Sequence, residues 1–356
     1  MKAKTIVTIV GARPQFIKAA PVSRALIPFF HEVMVHTGQH YDYGMSDVFF
    51  EEMEIKKPEF NLGIGGGTHA EQTGLMLIEL EKILTSVKPD CILVYGDTNS
   101  TLAGALAAAK AGIPLAHVEA GLRSYDRTMP EEVNRVLTDH VSNLLFCPTD
   151  AAVKNLAKEG IVQGVHRVGD VMYDALLYNL ANARAKSKIL DQLGLKKGGY
   201  ALATVHRAAN TDSIERMRSI LDGLGKLDTQ VIFPVHPRTR KTINEWEIST
   251  GANVLMVEPV GYFDMLVLQE NSNCILTDSG GVQKEAYLAG VRCITLREDT
   301  EWVETVAAGW NKLVGVNTDL IVDTYKNWHP QGERAALYGD GHSAVEISKT
   351  IFSALR

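Results

Sequence analysis

Short apolar runs alternate with longer helical segments along the whole chain, and this alternation restricts the possible folds more than any other feature. The runs have four to six residues each and end at a glycine, a proline or a polar residue. Buried strands that alternate with helices are typical of parallel sheets covered by helices on both faces. The predicted strands are 5–10, 33–37, 91–95, 114–118 and 143–147 in the first half, and 200–205, 231–235, 254–258, 274–277 and 292–296 in the second.

The two series of strands indicate two domains, because 356 residues exceed what one compact core usually contains. The break lies between about 165 and 195, where a polar helical segment leads into the glycine-rich KKGGY. We therefore expect an α/β protein with two Rossmann-like, doubly wound domains facing each other across a cleft. In such sheets ligands bind beyond the carboxyl ends of the strands, so residues that directly follow a strand are the functional candidates.

The overall charge argues against a nucleic-acid partner, since 42 acidic and 36 basic residues give a net charge of −6. No apolar run is long enough to span a bilayer, and the start of the chain does not read as a cleavable leader. We expect a cytoplasmic protein without a membrane partner. The cysteines lie in or at the end of apolar runs, which predicts reduced core residues, and they are Cys91, Cys147, Cys274 and Cys293.

The first predicted strand runs into GARPQFIK, where Arg13 and Lys18 lie at the start of a helix. Gly11 permits a tight turn, and a helix N-terminus with nearby cations favours an anion such as a diphosphate. The alternative is an exposed helix start with surface cations. The run is not G-x-G-x-x-G, so the sequence does not support a nicotinamide cofactor.

Carboxylates follow the next predicted strands. Asp97 comes directly after 91–95, Glu119 follows 114–118, and Glu131 and Glu132 lie in the first turn of a helix that also carries Arg135. Each alone has an ordinary explanation as a helix cap or as a partner of the helix dipole. Carboxylates after three successive strands favour a general acid, a general base and an orienting group at one site, and the candidates are Asp97, Glu119 and Glu131.

Histidine–arginine motifs follow two strands of the second half. His206 and Arg207 follow 200–205, and His236 precedes Arg238 after 231–235. A single histidine of this kind is often structural, whereas two at parallel positions favour contacts to phosphate or substrate.

A glycine-rich turn in TDSGGVQKEA opens another helix. Ser279, Gly280 and Gly281 allow a phosphate to approach backbone N–H groups, and Glu285 lies where a carboxylate can accept two ribose hydroxyls. The pattern is typical of a sugar-nucleotide site, although a plain glycine-rich turn is the alternative.

The ordered motifs resemble the non-hydrolysing UDP-N-acetylglucosamine 2-epimerase family over nearly the whole chain. They are GARPQFIK, GDTNSTLAG, HVEAGLRS, MPEEVNR, the His206–Arg207 pair, PVHPRTR, TDSGGVQKEA, TEWVE and YGDG. The resemblance implies the two-domain fold of one glycosyltransferase class, with a C-terminal helix, 338–355, that returns to the first domain. The domains would be 1–167 with 341–356, and 168–340, of which the second binds UDP.

The resemblance also implies roles for the candidate residues, a UDP-sugar substrate, a homodimer, and no cofactor or metal. Glu285 matches the ribose-binding glutamate. The residues that match the diphosphate site are Arg13, Arg135, His206, Ser279, Gly280 and Gly281, with Arg207 and His236 as further substrate contacts. The residues that match the catalytic set are Asp97, Glu119 and Glu131, with Lys18 beside them, and His206 is expected to take part in catalysis as well.

The implied reaction interconverts UDP-GlcNAc and UDP-ManNAc. The hydrogen on the second sugar carbon is not next to a carbonyl, so simple deprotonation is poor. Elimination of UDP and its re-addition needs a base, an acid and cations for the leaving diphosphate, which the named residues supply.

Several positions depart from the common family pattern. Ala12 and Gln15 replace threonine and glutamate in the first motif, Ala208 and Ala209 replace polar residues after His206, and TEWVE replaces T-E-R-P-E. These features resemble a branch that acts on UDP-2,3-diacetamido-2,3-dideoxyglucuronic acid, and also some archaeal-type members that use UDP-GlcNAc. Gln39 matches part of an allosteric site, but GIGGGTHAEQ lacks its arginine, so we expect weak or absent activation.

Other classes of function stay open at this point. A retaining glycosyltransferase would share the nucleotide site but has less use for the carboxylates, and a nucleotide-sugar sensor would not need all three. A metal enzyme is disfavoured because the histidines lack H-E-x-x-H or H-x-x-E-H spacing.

Overall fold

The computed structural model describes residues 4–38 and 56–356. The chain forms two compact units, one of Met1–Leu177 with Ala336–Arg356 and one of Tyr178–Ala335. The divisions expected from the sequence lay after residues 167 and 340.

The first unit contains a parallel sheet with the strand order β3-β2-β1-β4-β5-β6-β7. The chain leaves β1 on one side towards β2 and returns on the other side as β4, so the strand order reverses between β1 and β4. Such a reversal leaves a crevice at the carboxyl ends of the two strands. The strands are β1 Lys4–Val10, β2 Phe30–His36, β3 Phe60–Asn61, β4 Cys91–Tyr95, β5 Leu115–Val118, β6 Leu144–Cys147 and β7 Val165–Arg167.

The helices of the first unit begin and end where the sequence places caps. Thr98 accepts a hydrogen bond from the Thr101 N–H at one helix start, and Gly112 ends that helix with a φ of 66°. Thr149 caps the helix after β6 in the same way. The described helices that begin in this unit are Arg13–Leu26, His69–Val87, Asn99–Ala111, Pro130–Val141, Asp150–Lys158, Val171–Lys186 and Ser343–Ala354.

The second unit repeats the design with the strand order β10-β9-β8-β11-β12-β13, and its order reverses between β8 and β11. The strands are β8 Tyr200–Thr204, β9 Gln230–Pro234, β10 Val254–Val257, β11 Cys274–Thr277, β12 Cys293–Thr295 and β13 Asn311–Leu313. The helices are Ile189–Gln192, Ala208–Thr211, Ile214–Gly225, Pro237–Glu245, Tyr262–Asn271, Gly280–Ala289, Val303–Ala307 and Thr318–Asn327.

The predicted fold class is confirmed, because both units are Rossmann-like α/β layers around a parallel sheet. All four cysteines are buried and free of disulfides. None of the helices in the described ranges is both long and apolar enough to cross a bilayer.

The C-terminal helix Ser343–Ala354 packs in the first unit against Arg13–Leu26. The Phe352 ring lies 5.0 Å from that of Phe29, measured between centroids. The Asp174 carboxylate accepts hydrogen bonds from the Ser343 and Ala344 N–H groups at 3.2 and 2.8 Å, and so caps the helix start.

Candidate functional site

Gln15 holds the loop that follows β1 against the end of β4, at the reversal of the first sheet. Its Oε1 accepts hydrogen bonds from the Gly11 and Ala12 N–H groups at 2.8 and 3.0 Å. Its Nε2 donates to the Tyr95 carbonyl at 2.8 Å, and the side chain is buried. The two loops that border the crevice are therefore fixed to one another. Arg13 begins the following helix, and its side chain lies outside the described part of the structure.

Lys18 and Glu119 form an ion pair at this crevice, and their side chains are only 13% and 9% exposed. Glu119 has a φ of 73°, which a residue with a side chain rarely adopts. Gly96 lies beneath the pair, since a Cβ atom there would be 3.3 Å from both Glu119 Oε2 and Lys18 Nζ. Backbone strain of this kind is concentrated at functional sites, where the surrounding structure enforces it.

Arg135 forms a second pair with Asp97, directly after β4. The Asp97 side chain is 34% exposed and the Arg135 side chain 13%. Thr98 rather than Asp97 caps the helix Asn99–Ala111, so the capping role considered for Asp97 belongs to its neighbour. Arg135 contacts Asp97 through Nη2 and donates through Nη1 to Glu132 Oε2 at 2.8 Å, so it bridges the two carboxylates.

Glu132 is buried, and it fixes both Arg135 and the loop after β5. Its carboxylate accepts hydrogen bonds from the N–H groups of Ser124 and Tyr125 at 2.9 and 3.0 Å. Burial alone would raise the pKa of Glu132, but these hydrogen bonds and the Arg135 charge lower it below its ordinary value. Glu131, the residue selected from the sequence, lies in the same helical turn and is exposed.

The two acid–cation pairs define what the first unit can do chemically. Glu119 and Asp97 each contact a cation, and a carboxylate at either position can accept a proton. Lys18 and Arg135 are positive charges that would stabilise an anion when their carboxylate becomes protonated. The structure thus brings together Lys18, Asp97, Glu119 and Arg135, four of the residues that the sequence selected.

In the second unit, Asp278 fixes the turn that carries His206 and Arg207. This carboxylate is fully buried after β11. It accepts hydrogen bonds from the His206 N–H at 3.1 Å, the Arg207 N–H at 3.0 Å and the Asn210 side-chain amide at 3.0 Å. The His206 and Arg207 side chains are left 49% and 43% exposed, so they can contact a ligand.

The glycine-rich turn after β11 opens the helix Gly280–Ala289. Ser279 is the N-cap residue, and its hydroxyl accepts from the Val282 N–H at 3.5 Å. A Cβ atom on Gly280 would lie 2.1 Å from Glu301 Oε1, so the end of the Glu301 side chain would have to move to make room for it. A Cβ atom on Gly281 would meet only Ser279 Oγ at 4.0 Å, which leaves this helix start accessible to an anion.

Glu285 lies further along the same helix and is 8% exposed. Gln269 Nε2 donates a hydrogen bond to Glu285 Oε2 at 2.8 Å. His236 is exposed after β9, the strand next to β8. The second unit therefore presents its selected residues at the carboxyl ends of β8, β9 and β11.

Sequence reasoning missed several side chains that position the site. The sequence did not identify Glu132 or Asp278 as site residues, and it marked Gln15 only as a departure from the family pattern. Asp278 had a usable signal, because it follows β11 directly, as Asp97 follows β4. Glu301 pairs with Arg297 at 3.0 Å and lies 3.6 Å from Arg207.

Two further expectations from the sequence concern an allosteric site and a metal site. Gln39 lies outside the described residues. Within residues 4–38 and 56–356, no three His, Cys, Asp or Glu side chains are grouped so that they could hold a metal ion.

Comparison with known proteins gives one consistent result. The family model described as UDP-N-acetylglucosamine 2-epimerase matches residues 26–352. A Methanococcus maripaludis protein named as a UDP-N-acetylglucosamine 2-epimerase homolog is 54% identical over 352 residues, which cover 97% of this chain and 99% of that protein. The UDP-2,3-diacetamido-2,3-dideoxy-D-glucuronate 2-epimerase of Pseudomonas aeruginosa is 47% identical and covers 97% of this chain and 98% of that protein.

A solved structure agrees with the sequence relatives. The crystal structure of Methanocaldococcus jannaschii UDP-GlcNAc 2-epimerase in complex with UDP-GlcNAc and UDP matches with a TM-score of 0.86. The two chains are 43% identical, and the match covers 99% of each.

The lowered pKa of Glu132 predicts how this residue contributes to stability. Replacing Glu132 with glutamine should reduce the free energy of unfolding near neutral pH by about 1 to 3 kcal/mol, since it weakens hydrogen bonds to a buried charged group. The folded pKa lies below the unfolded value of 4.5, so the contribution is present above 4.5 and fades as the pH falls through the folded pKa. Denaturant unfolding from pH 7 to pH 3 measures the difference between the variant and the wild type.

The exposed neighbour provides the control for this measurement. Glu131→Gln should change the free energy of unfolding by no more than about 0.5 kcal/mol at any of these pH values. If the difference in the free energy of unfolding between Glu132→Gln and the wild type stayed constant down to pH 3, it would contradict a lowered pKa for Glu132.

Proposed function

Because the chain belongs to the UDP-N-acetylglucosamine 2-epimerase family, we propose that it interconverts UDP-GlcNAc and UDP-ManNAc. The chain is an isomerase that epimerises a nucleotide sugar. The observation that carries the finer proposal is the pair of acid–cation contacts at the reversal of the first sheet, Lys18 with Glu119 and Arg135 with Asp97. Each pair combines a group that can move a proton with a charge that can stabilise a leaving diphosphate.

The proposed reaction has an elimination and an addition step. A carboxylate removes the proton from the second sugar carbon, the bond between the first carbon and the diphosphate oxygen breaks, and UDP leaves with the electron pair. A double bond forms between the two carbons. The diphosphate oxygen then adds back to the first carbon, and an acid delivers a proton to the opposite face of the second carbon.

The ion pairs support this division of work. When Glu119 or Asp97 accepts a proton, its partner Lys18 or Arg135 loses its counter-charge. That change coincides with the growth of negative charge on the diphosphate, so the cation is available when the leaving group needs it. Glu131 is the third carboxylate of the set and is exposed at the start of its helix.

We assign binding of the nucleotide to the second unit. His206 and Arg207 contact the phosphates together with the helix start at Ser279, and His236 adds a further contact. Glu285 accepts the ribose hydroxyls, and the hydrogen bond from Gln269 to its Oε2 holds the carboxylate in place.

A second substrate has a specific observation in its favour. The 47% identical Pseudomonas aeruginosa relative is named for UDP-2,3-diacetamido-2,3-dideoxy-D-glucuronate. Ala208 and Ala209 begin a short helix after Arg207 and are exposed, so this chain has methyl groups where the common pattern has polar side chains. The reaction class is the same for both sugars.

We also propose that the chain forms a homodimer. Apolar side chains are exposed on two helices of the first unit, with Leu75 and Ile78 on one and Val133 and Leu137 on the other. Exposed apolar side chains are removed from water when a second chain covers them. Sedimentation equilibrium should show a dimer at micromolar concentration, and a monomer there would overturn this proposal.

The reaction is tested by incubating the purified protein in deuterated water with UDP-GlcNAc alone. We expect a new manno-configured nucleotide sugar with deuterium on the second carbon, because the removed proton exchanges with solvent before it is returned. NMR of the anomeric proton follows both changes. A parallel tube contains the diacetamido uronic acid nucleotide, and faster turnover there would transfer the assignment to that sugar. Absence of turnover in both tubes would favour a glycosyltransferase or a sensor.

Substitutions separate chemistry from nucleotide binding. Glu119→Gln and Lys18→Met should each lower kcat by about 100-fold or more, because they remove proton transfer or charge stabilisation. Binding of UDP, measured by calorimetry, should stay within a few-fold of the wild type for Glu119→Gln. Glu285→Gln should instead weaken UDP binding by about tenfold.

The matched control is another Lys–Glu pair in the same unit. Glu79 pairs with Lys82 on the exposed side of the helix His69–Val87, at 2.6 Å. Glu79→Gln removes the same kind of contact away from the crevice and should leave kcat unchanged. A Glu119→Gln variant with a kcat equal to that of Glu79→Gln would exclude Glu119 from the chemistry.

A further inference from the structure

His117 lies on β5, two residues before Glu119, and is completely buried. Its Nε2 lies 2.8 Å from the Gly96 carbonyl oxygen, and its Nδ1 lies 2.7 Å from Asp139 Oδ1. A carbonyl oxygen only accepts hydrogen bonds, and so does an ionised carboxylate. Both ring nitrogens must therefore donate, and the ring carries two protons and a positive charge.

Burial alone would raise the pKa of Asp139, but its hydrogen bonds and the charges of His117 and Arg123 lower it, so Asp139 is in the carboxylate form. Asp139 Oδ2 accepts hydrogen bonds from the Gly121 N–H at 3.1 Å and from Arg123 Nη1 at 2.7 Å. Arg123 also donates to Glu159 through Nε and Nη2, at 2.7 and 2.8 Å. Two cations and two carboxylates thus balance in this network, and the side chains of His117, Asp139 and Arg123 are no more than 1% exposed.

The network touches each of three elements that carry the catalytic candidates. Gly96 directly precedes Asp97. His117 and Gly121 flank Glu119 in sequence. Asp139 belongs to the helix Pro130–Val141, which also carries Arg135. One buried pair of side chains therefore joins the loop after β4, the loop after β5 and this helix.

Two of these positions depend on unusual backbone conformations. Gly96 has a φ of 64° and Glu119 a φ of 73°. The Gly96 N–H donates to the Val118 carbonyl at 3.0 Å, while the Gly96 carbonyl accepts from His117. Both backbone polar groups of Gly96 are thus hydrogen-bonded, and the residue lies directly beneath the Lys18–Glu119 pair.

We propose that His117 is a positioning residue for the epimerisation, acting as a buried imidazolium that locks Asp97 and Glu119 in register through Gly96 and Asp139. The inference rests on the proposed function. A buried ion pair generally adds little net stability compared with apolar packing, and in some proteins it is retained because it fixes one conformation. We assign that role to this pair, which would hold the two carboxylates at a fixed separation.

The test exploits the direction of the hydrogen bonds. In His117→Gln, the new side-chain amide can donate to the Gly96 carbonyl, but its own carbonyl oxygen then faces the Asp139 carboxylate. In Asp139→Asn, the new amide N–H can face the N–H donor of His117. The double variant combines the two substitutions, so that the amide at position 139 donates to the carbonyl oxygen of the side chain at position 117. The Gly96 carbonyl still receives a donor in this variant.

Each single variant should lower kcat by about 10- to 100-fold through misplacement of the carboxylates. The KM for the UDP-sugar and the affinity for UDP should change by less than about threefold, since the nucleotide contacts are untouched. The double variant should recover kcat to within about threefold of the wild type, which is a non-additive result that independent sites do not give.

A purely structural role is separated by a control and by a spectroscopic readout. Leu80→Ala leaves a cavity in the core of the same unit, away from both loops, and should lower Tm without lowering kcat. In protein labelled with ¹⁵N-histidine, the His117 ring should show two N–H protons that are absent from His117→Gln.

Three outcomes would overturn the inference. They are a His117 ring with one N–H proton, single variants whose kcat matches that of Leu80→Ala, and a double variant no more active than the singles. A wild-type protein that turns over neither UDP-sugar would refute the proposed function itself, and with it the catalytic role of the network. The ¹⁵N spectrum decides the protonation of His117 in either case.

Discussion

The structure depends on a constraint of parallel sheets, which is that all their strands end at the same edge. In both units the strand order reverses, between β1 and β4 in one and between β8 and β11 in the other. At each reversal the helices leave in opposite directions and the loops would be poorly supported. Each unit has a buried acceptor that holds two consecutive backbone N–H groups. Gln15 holds those of Gly11 and Ala12 after β1, and Asp278, at the end of β11, holds those of His206 and Arg207 after β8.

This support allows the loops to carry charge. Glu119 keeps a left-handed backbone because its own N–H and that of Ala120 both donate to the Phe146 carbonyl at 3.1 Å. Its carboxylate then meets Lys18 above Gly96. The fixed loops keep the charges of these ion pairs in place. A charge stabilises a transition state best when it is already held at the position where the opposite charge develops.

The sequence predicts the interior of this fold better than its edges. Ten apolar runs were expected to be strands, and each overlaps one. Within the part of the chain that the structure describes, the strands without a predicted apolar run are β3, β7 and β13, which have two or three residues and lie at the edges of their sheets. An edge strand is partly exposed and needs no apolar run, so periodicity does not reveal it.

The site was predictable to a similar degree, and for a related reason. Residues that follow a strand can be found by position, and Lys18, Asp97, Glu119 and Arg135 do come together. The choice between Glu131 and Glu132 depends on the phase of a helix, since adjacent residues differ by about 100° in direction. Sequence alone did not determine that phase, and the buried partner of Arg135 is Glu132.

The structure also changes how one departure from the family pattern should be understood. Gln15 stands where common members have glutamate, which suggested a difference in the sugar. Both ends of its amide are bonded to protein groups, and the Nε2 donates to the Tyr95 carbonyl and to Thr101 Oγ1. An ionised carboxylate could still accept from Gly11 and Ala12 but could not donate to Tyr95. Gln15 therefore concerns the support of the loop, and selectivity for the sugar is better sought at exposed Ala208 and Ala209.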